Sequence, residues 1–262
     1  MSTILEDLFS LSGKTAVVTG GARGVGAMIS RGLVRAGAEV LVVARPGPTG
    51  EAFAAEMANE GKCHFIAADL ADAAGVEQAA AAIARIAPKL HVLVNNAGVF
   101  SASSIEDATV ADWDRGLAVN LRAPFFLVQS LLPQLRAAAA QGDPARVINI
   151  GSIAALWAKS SNAYAYGAAK AGLQHLTRML ASDLTREGIA VNAIAPGFFP
   201  SDMTDGFFTA APGLREQVIE SIPAHRLGAP EDVAGSVIFL ASRAGAYCSG
   251  ATIPLEGGLW SA

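Results

Sequence analysis

Three side chains in the second half of the chain have the types and spacing for chemistry at a carbonyl or alcohol carbon: Ser152, Tyr166 and Lys170. Tyr166 and Lys170 stand four residues apart in AYAYGAAKAGL, a helical stretch, so their side chains share a face. A phenol with an ordinary pKa near ~10 exchanges protons poorly at neutral pH. An ammonium fixed beside it favours the phenolate and is expected to lower that pKa, making Tyr166 a general acid and base. Ser152 falls just past an apolar run that reads as a strand, where its hydroxyl can hydrogen-bond a substrate oxygen. Tyr164 is an internal control, because its i+4 residue is Ala168 and it has no ammonium.

A second group of residues suits a dinucleotide. The run Thr19-Gly20-Gly21-Ala22-Arg23-Gly24-Val25-Gly26 follows the first apolar strand and opens the first long helix. Glycines there permit positive φ and close approach to a pyrophosphate, and the helix amino terminus offers unpaired N–H groups to its oxygens. The second strand ends Val42-Val43-Ala44-Arg45, with no carboxylate before Glu51. NAD-specific folds place an acid at that point to hold the ribose 2′-hydroxyl. Arg45 instead suits a 2′-phosphate, with Arg23 a second candidate from the same side, so NADP(H) is the expected cofactor.

Other motifs fail. Gly13-Lys14-Thr15 resembles the end of a phosphate-binding loop, but Leu8 stands where its first glycine belongs and a strand follows it. His64, His91, His175 and His225 are isolated and lack metal-ligand spacing, so no metal is expected. Ser152 lacks the G-x-S-x-G elbow of a hydrolase.

The elements that must position these groups alternate along the chain. Continuous apolar runs predict strands at 15–19, 39–44, 64–69, 90–95, 147–150, 190–195 and 252–255. Runs such as TAVVT, VLVVA and RVINI suit strands buried on both faces of a parallel sheet. Helices are predicted over 25–36, 50–59, 74–87, 110–140, 163–187 and 231–242. Strict alternation predicts one α/β domain: a doubly wound, mostly parallel seven-stranded sheet with helices on both faces. The segment after the sixth strand, from Pro196 to Pro223, carries Phe198, Phe199, Met203, Phe207, Phe208 and Leu214. At the carboxyl end of a parallel strand, such a segment at about 197–223 is expected to overhang the ligand crevice.

Composition bounds the reading. The chain has 262 residues, 52% hydrophobic and 16% charged, with a formal net charge of −4. That balance excludes disorder and argues against nucleic acid or an anionic membrane surface as partner. Cys63 and Cys248 form no disulfide framework, there is no signal-peptide pattern at MSTILEDLF, and no apolar run approaches a membrane span. A soluble cytoplasmic protein is the expectation.

Taken in order, these pieces resemble the short-chain dehydrogenase/reductase family over essentially residues 11–260. They are the turn at 19–26, Asp69-Leu70, Asn95-Asn96-Ala97-Gly98, Asn120, Ser152, the Tyr166/Lys170 pair and Pro196-Gly197. The resemblance implies that Gly20, Gly24, Val25 and Gly26 line the pyrophosphate and that Asp69 and Leu70 flank the adenine. It places Asn96, Ala97 and Gly98 along the adenosine ribose, and Pro196, Phe199 and Ser201 beside the nicotinamide carboxamide. Tyr166 would exchange the proton with the substrate oxygen. Lys170 would hold the nicotinamide ribose and tune Tyr166, and Asn120 would organise a water-linked proton path. Ser201, Gly151, Ala169 and Glu256 stand where the family more often has Thr, Ser, Ser and Asp, and none removes a group the chemistry needs.

Within the family, PARVINIGSIA and APGFFPSDMT look most like ketoreductases of the 3-oxoacyl and rhamnolipid-pathway type. Gluconate 5-dehydrogenase-like members compete with that reading, and a nicotinamide-binding sensor without turnover is the alternative of another class. Family members commonly pair through helices near 110–140 and 163–187, so a dimer or tetramer is expected. Leu259-Trp260 at the carboxyl end suits either an interface or intramolecular packing.

Overall fold

The seven apolar runs become seven strands: β1 (Thr15–Thr19), β2 (Glu39–Ala44), β3 (Cys63–Ala67), β4 (Val92–Asn95), β5 (Ala145–Ile150), β6 (Ile189–Pro196) and β7 (Thr252–Leu255). The protein is seen here as a computed structural model that describes residues 3–157, 162–209 and 211–260. The strands lie in the order β3-β2-β1-β4-β5-β6-β7, and every pairing is parallel. The chain therefore winds outward in two directions from β1 and β4, and a crevice opens beyond their carboxyl ends.

Alternation along the strands divides the core into two layers. Val17, Leu41, Leu93, Val147 and Val191 face α4 (Ala73–Ile86), α6 (Ala123–Ala138) and α7 (Tyr164–Leu184), meeting Ile83, Leu131 and Leu184. Ala16, Val18, Val40, Val42 and Ile148 face α2 (Gly24–Arg35), α3 (Pro48–Met57) and α10 (Pro230–Ala241), meeting Ile29, Leu33, Met57 and Val237. Helices α2 and α10 pack closely, since a Cβ on Gly32 would stand 2.5 Å from the Cβ of Ala234. No described helix is long and apolar enough to cross a membrane.

Several boundaries depart from expectation. Strand β3 stops at Ala67 rather than residue 69, which leaves Asp69 and Leu70 in the turn beyond it. The single helix expected over 110–140 is α5 (Val110–Leu117), a π-helical turn at Ala118–Arg122, and then α6. That wide turn carries Asn120, fully buried, with both atoms of its amide bonded to the backbone of Val99. A short amino-terminal helix, α1 (Ile4–Phe9), was not anticipated; Thr3 and Glu6 cap it reciprocally. The long segment after β6 folds as α8 (Asp202–Phe208) and α9 (Leu214–Ser221), with residue 210 between them outside the described part.

Candidate active site

One cleft of about 630 Å³ runs along the carboxyl ends of β1 to β6. Gly20, Arg23, Gly24, Val25 and Gly26 line it after β1, Arg45 after β2, and Asp69 and Leu70 after β3. Asn96, Ala97 and Gly98 follow β4, Ser152 follows β5, and Pro196, Phe199 and Ser201 belong to β6 or the segment after it. Tyr166 and Lys170 reach it from α7. Asn120 stands behind the lining, on the far side of Val99 and Gly98.

The glycine turn packs against the residues that follow β4. Gly20 and Gly24 have φ of 63° and 50°, in the left-handed region that a glycine occupies without strain. A Cβ on Gly20 would meet the Cα of Ala97 at 3.0 Å, and one on Gly24 would meet the Cβ of Ser201 at the same distance. Asn96 does not turn its amide outward. Its Nδ2 donates to the carbonyls of Thr19 (2.9 Å) and Gly20 (3.2 Å), so it braces the turn. The Thr19 hydroxyl accepts from the backbone N–H groups of Asn96 (3.0 Å) and Ala97 (2.9 Å). Thr19, the first residue of the glycine run, thus holds the turn through its side chain.

Helix α2 begins without a side-chain cap: Arg23 occupies the cap position and makes no capping bond. The N–H groups of its first turn lack intrahelical partners and face the cleft, a fit for a phosphate. Arg23, the second candidate for the 2′-phosphate, stands in the glycine turn and pairs with Asp202 of α8 at 3.2 Å, both side chains well exposed. Arg45 is exposed and has no carboxylate partner among the described residues. The turn, the uncapped helix and Arg45 fit a dinucleotide carrying a 2′-phosphate.

On the other side of the cleft, a buried polar chain sets the register of α7. Asn95 donates to the Asn149 side chain (2.9 Å), which donates to the Thr177 hydroxyl (2.9 Å). With α7 so fixed, Lys170 lies buried and donates to the carbonyl of Ile150 at 2.7 Å. Its Nζ stands 5.7 Å from the centre of the Tyr166 ring. The Ser152 hydroxyl accepts from the N–H of Ala154 (3.1 Å), which orients it at the end of β5.

The electrostatics overturn one expectation. Burial raises the Tyr166 phenol above its ordinary value, the neighbouring Ser152 hydroxyl opposing this only in part. Burial also lowers the Lys170 ammonium to about 8. Lys170 points at the Ile150 carbonyl and the ring of Tyr166, so desolvation outweighs any attraction of the ammonium for a phenolate. The raised phenol keeps its proton at neutral pH, so Tyr166 is poised as a proton donor.

Comparison with known proteins identifies the family. The family model described as enoyl-(acyl carrier protein) reductase matches residues 20–260. The rhamnolipids biosynthesis 3-oxoacyl-[acyl-carrier-protein] reductase of Pseudomonas aeruginosa is 45% identical over 254 residues, 97% of this chain and 99% of the relative. Gluconate 5-dehydrogenase of Gluconobacter oxydans is 33% identical over 258 residues, 97% of each chain. Among solved structures, the RhlG/NADP active-site complex of P. aeruginosa superimposes with a TM-score of 0.93 at 44% identity, covering 97% of this chain and 99% of that one. The chain belongs to the short-chain dehydrogenase/reductase family, and it is an oxidoreductase acting between C=O and CH–OH.

Proposed function

We propose that the protein reduces a largely apolar or 3-oxoacyl-like ketone with NADPH, or runs the reverse oxidation. The observation that carries this is the meeting of Ser152, Tyr166 and Lys170 in the cleft that also holds the glycine turn and Arg45. The nicotinamide cofactor, when bound, supplies or accepts the hydride. The first turn of α2, with Gly20, Gly24, Val25 and Gly26, holds the pyrophosphate; Arg45 holds the 2′-phosphate; Asp69 and Leu70 flank the adenine. Asn96, Ala97 and Gly98 shape the ribose wall by bracing rather than by donating side chains. Pro196, Phe199 and Ser201 border the carboxamide.

The Ser152 hydroxyl donates a hydrogen bond to the substrate oxygen, and the Tyr166 phenol gives that oxygen its proton as negative charge develops there. Lys170 is the cation beside the ribose hydroxyls and the relay behind Tyr166. Asn120 holds the Val99 backbone at the mouth of the proton path.

The segment at 197–223 covers the substrate. Its interior is apolar: Phe198 packs with Phe207 and Phe208 at ring separations of 5.8 and 6.1 Å, and against the small apolar cluster that includes Ile153, next to Ser152. That surface favours an apolar substituent. Arg115 at the cleft edge is the feature that favours a gluconate-like substrate instead. Two free cysteines suit a reducing, cytoplasmic setting, and a homodimer or homotetramer is the proposed assembly.

The test is NADPH oxidation over a panel of 3-oxo esters, 3-oxoacyl thioesters, aryl ketones and 5-ketogluconate, with Tyr166→Phe as the control variant. The rate is expected on an apolar ketone, falling by ~10²-fold or more in Tyr166→Phe with cofactor affinity little changed. Wild-type turnover in Tyr166→Phe overturns the mechanism. Tight cofactor binding with no turnover on any ketone indicates a sensor.

A further inference from the structure

The Tyr166 ring occupies an unusual position for a group that must aim a proton. It is the third residue of α7, in a first turn that has no side-chain cap, after Asn162 in the left-handed region at φ 55°. The helix end alone therefore constrains the phenol weakly.

What meets the ring is Phe100, from the loop after β4. The two rings are 5.3 Å apart between centroids and inclined at 71°, an edge-to-face pair. The loop is pinned on either side of this residue. Behind it, Asn120 accepts from the Val99 N–H at 3.0 Å and donates to the Val99 carbonyl at 2.9 Å. Ahead of it, the Ser103 N–H donates to the carbonyl of Asn162 at 2.8 Å, tying the loop to the start of α7. Phe100 is half-buried yet belongs to none of the three apolar clusters of the core. A large ring held between two backbone anchors, outside the core and against the phenol, has one evident partner.

We propose that Phe100 is a positioning residue for Tyr166, its ring holding the phenol between itself and Lys170 so that the hydroxyl stays aimed at the substrate oxygen beside Ser152. It acts through Tyr166 and touches none of the reacting atoms. Asn120 then has a second purpose, because its clasp on Val99 sets where Phe100 stands. The proposal rests on the catalytic reading of Tyr166 given above.

The test uses ethyl acetoacetate and NADPH with the full-length protein. Phe100→Leu removes the ring and is expected to lower kcat roughly three- to tenfold, the scale of an aromatic pair, with KM for the ketone within about twofold. The Kd of NADPH, read from nucleotide fluorescence, stays within about twofold and reports a folded cleft. Phe100→Tyr restores at least half of kcat, and Phe100→Met, apolar and unbranched but without a ring, gives the same fall as leucine. In a Tyr166→Phe background, adding Phe100→Leu changes the residual rate by less than about twofold.

An unchanged kcat in Phe100→Leu, an effect confined to KM, no rescue by tyrosine, or full additivity in the double variant each overturns the proposal. Failure of the catalytic reading is distinguishable: it appears as wild-type turnover in Tyr166→Phe alone.

Discussion

At the scale of single residues, the sequence reveals which side chains act but not the fields that act on them. The four-residue spacing of Tyr166 and Lys170 places them on one face whatever the fold, so the pair is legible from the chain. The direction of the phenol's shift is not, because it depends on how much water the folded cleft excludes. Phe100 belongs to no chemical motif, and only its contact with Tyr166 reveals it. Arg45 shows the opposite case, where a missing carboxylate is already informative in sequence and the structure leaves the guanidinium exposed beside the cleft. A charge-assisted hydrogen bond contributes roughly 1.5–3 kcal/mol, so NADPH should bind about ten- to a hundredfold more tightly than NADH. Arg45→Asp removes that attraction and adds repulsion, and the preference should reverse. Paired titrations of both nucleotides check this. An unaltered protein that binds NADH as tightly as NADPH contradicts it.

Among the elements, the buried strands read cleanly because a parallel sheet covered on both faces demands continuous apolar runs. Helix breaks read poorly. Nothing in Ala118–Arg122 forbids an α-helix, and the π turn reflects the tertiary need to bring Asn120 onto Val99. The six residues of α1 are too few for a periodic pattern, although Thr3-Ile4-Leu5-Glu6 carries the capping-box signature that marks its start. A polar junction also joins elements at the end of the sheet opposite the cleft. Asp143, just before β5, pairs with Lys14 before β1 at 2.5 Å and with Arg146 of β5 at 2.8 Å, while Arg146 donates to the Ser242 carbonyl that ends α10. Burial alone would raise the Asp143 carboxyl, but the bonds from Lys14 and Arg146 outweigh it and hold it below its ordinary value. A lowered folded value stabilises fully above the unfolded value near ~3.9 and loses that stability as pH falls through the folded one. Asp143→Asn leaves the buried Arg146 without its carboxylate. It should cost about 1–3 kcal/mol at pH 7, less than a fully enclosed pair because Asp143 keeps some solvent contact. Denaturant unfolding at a series of pH values should show the difference shrinking below pH ~4. Equal stability at pH 7 would assign the junction no energetic role.

For the molecule as a whole, the surface around α5, α6 and α7 is the part a lone chain leaves unexplained. Leu117, Leu121, Phe125, Leu176 and Met179 line an open groove of about 430 Å³, and Trp113, Phe126 and Met179 are 41%, 43% and 53% exposed nearby. Monomeric proteins rarely keep large contiguous apolar patches in water, and a second copy of this chain is the occupant we expect. Leu259, by contrast, is buried within its own chain against Ile153 and Ile222, so this side chain needs no partner. Helix α7 presents Met179 to the groove and Tyr166 and Lys170 to the cleft, so pairing there would stiffen the element that carries the chemistry. Sedimentation at micromolar concentration should give a dimer or tetramer. Met179→Glu would place an unpaired carboxylate in the contact at a cost of several kcal/mol, enough to weaken association by about 100-fold or more. Its cofactor affinity should stay unchanged, because the cleft lies at the other end of the helix. A wild-type monomer at these concentrations refutes the assembly, and an assembly indifferent to Met179→Glu places the interface on another face.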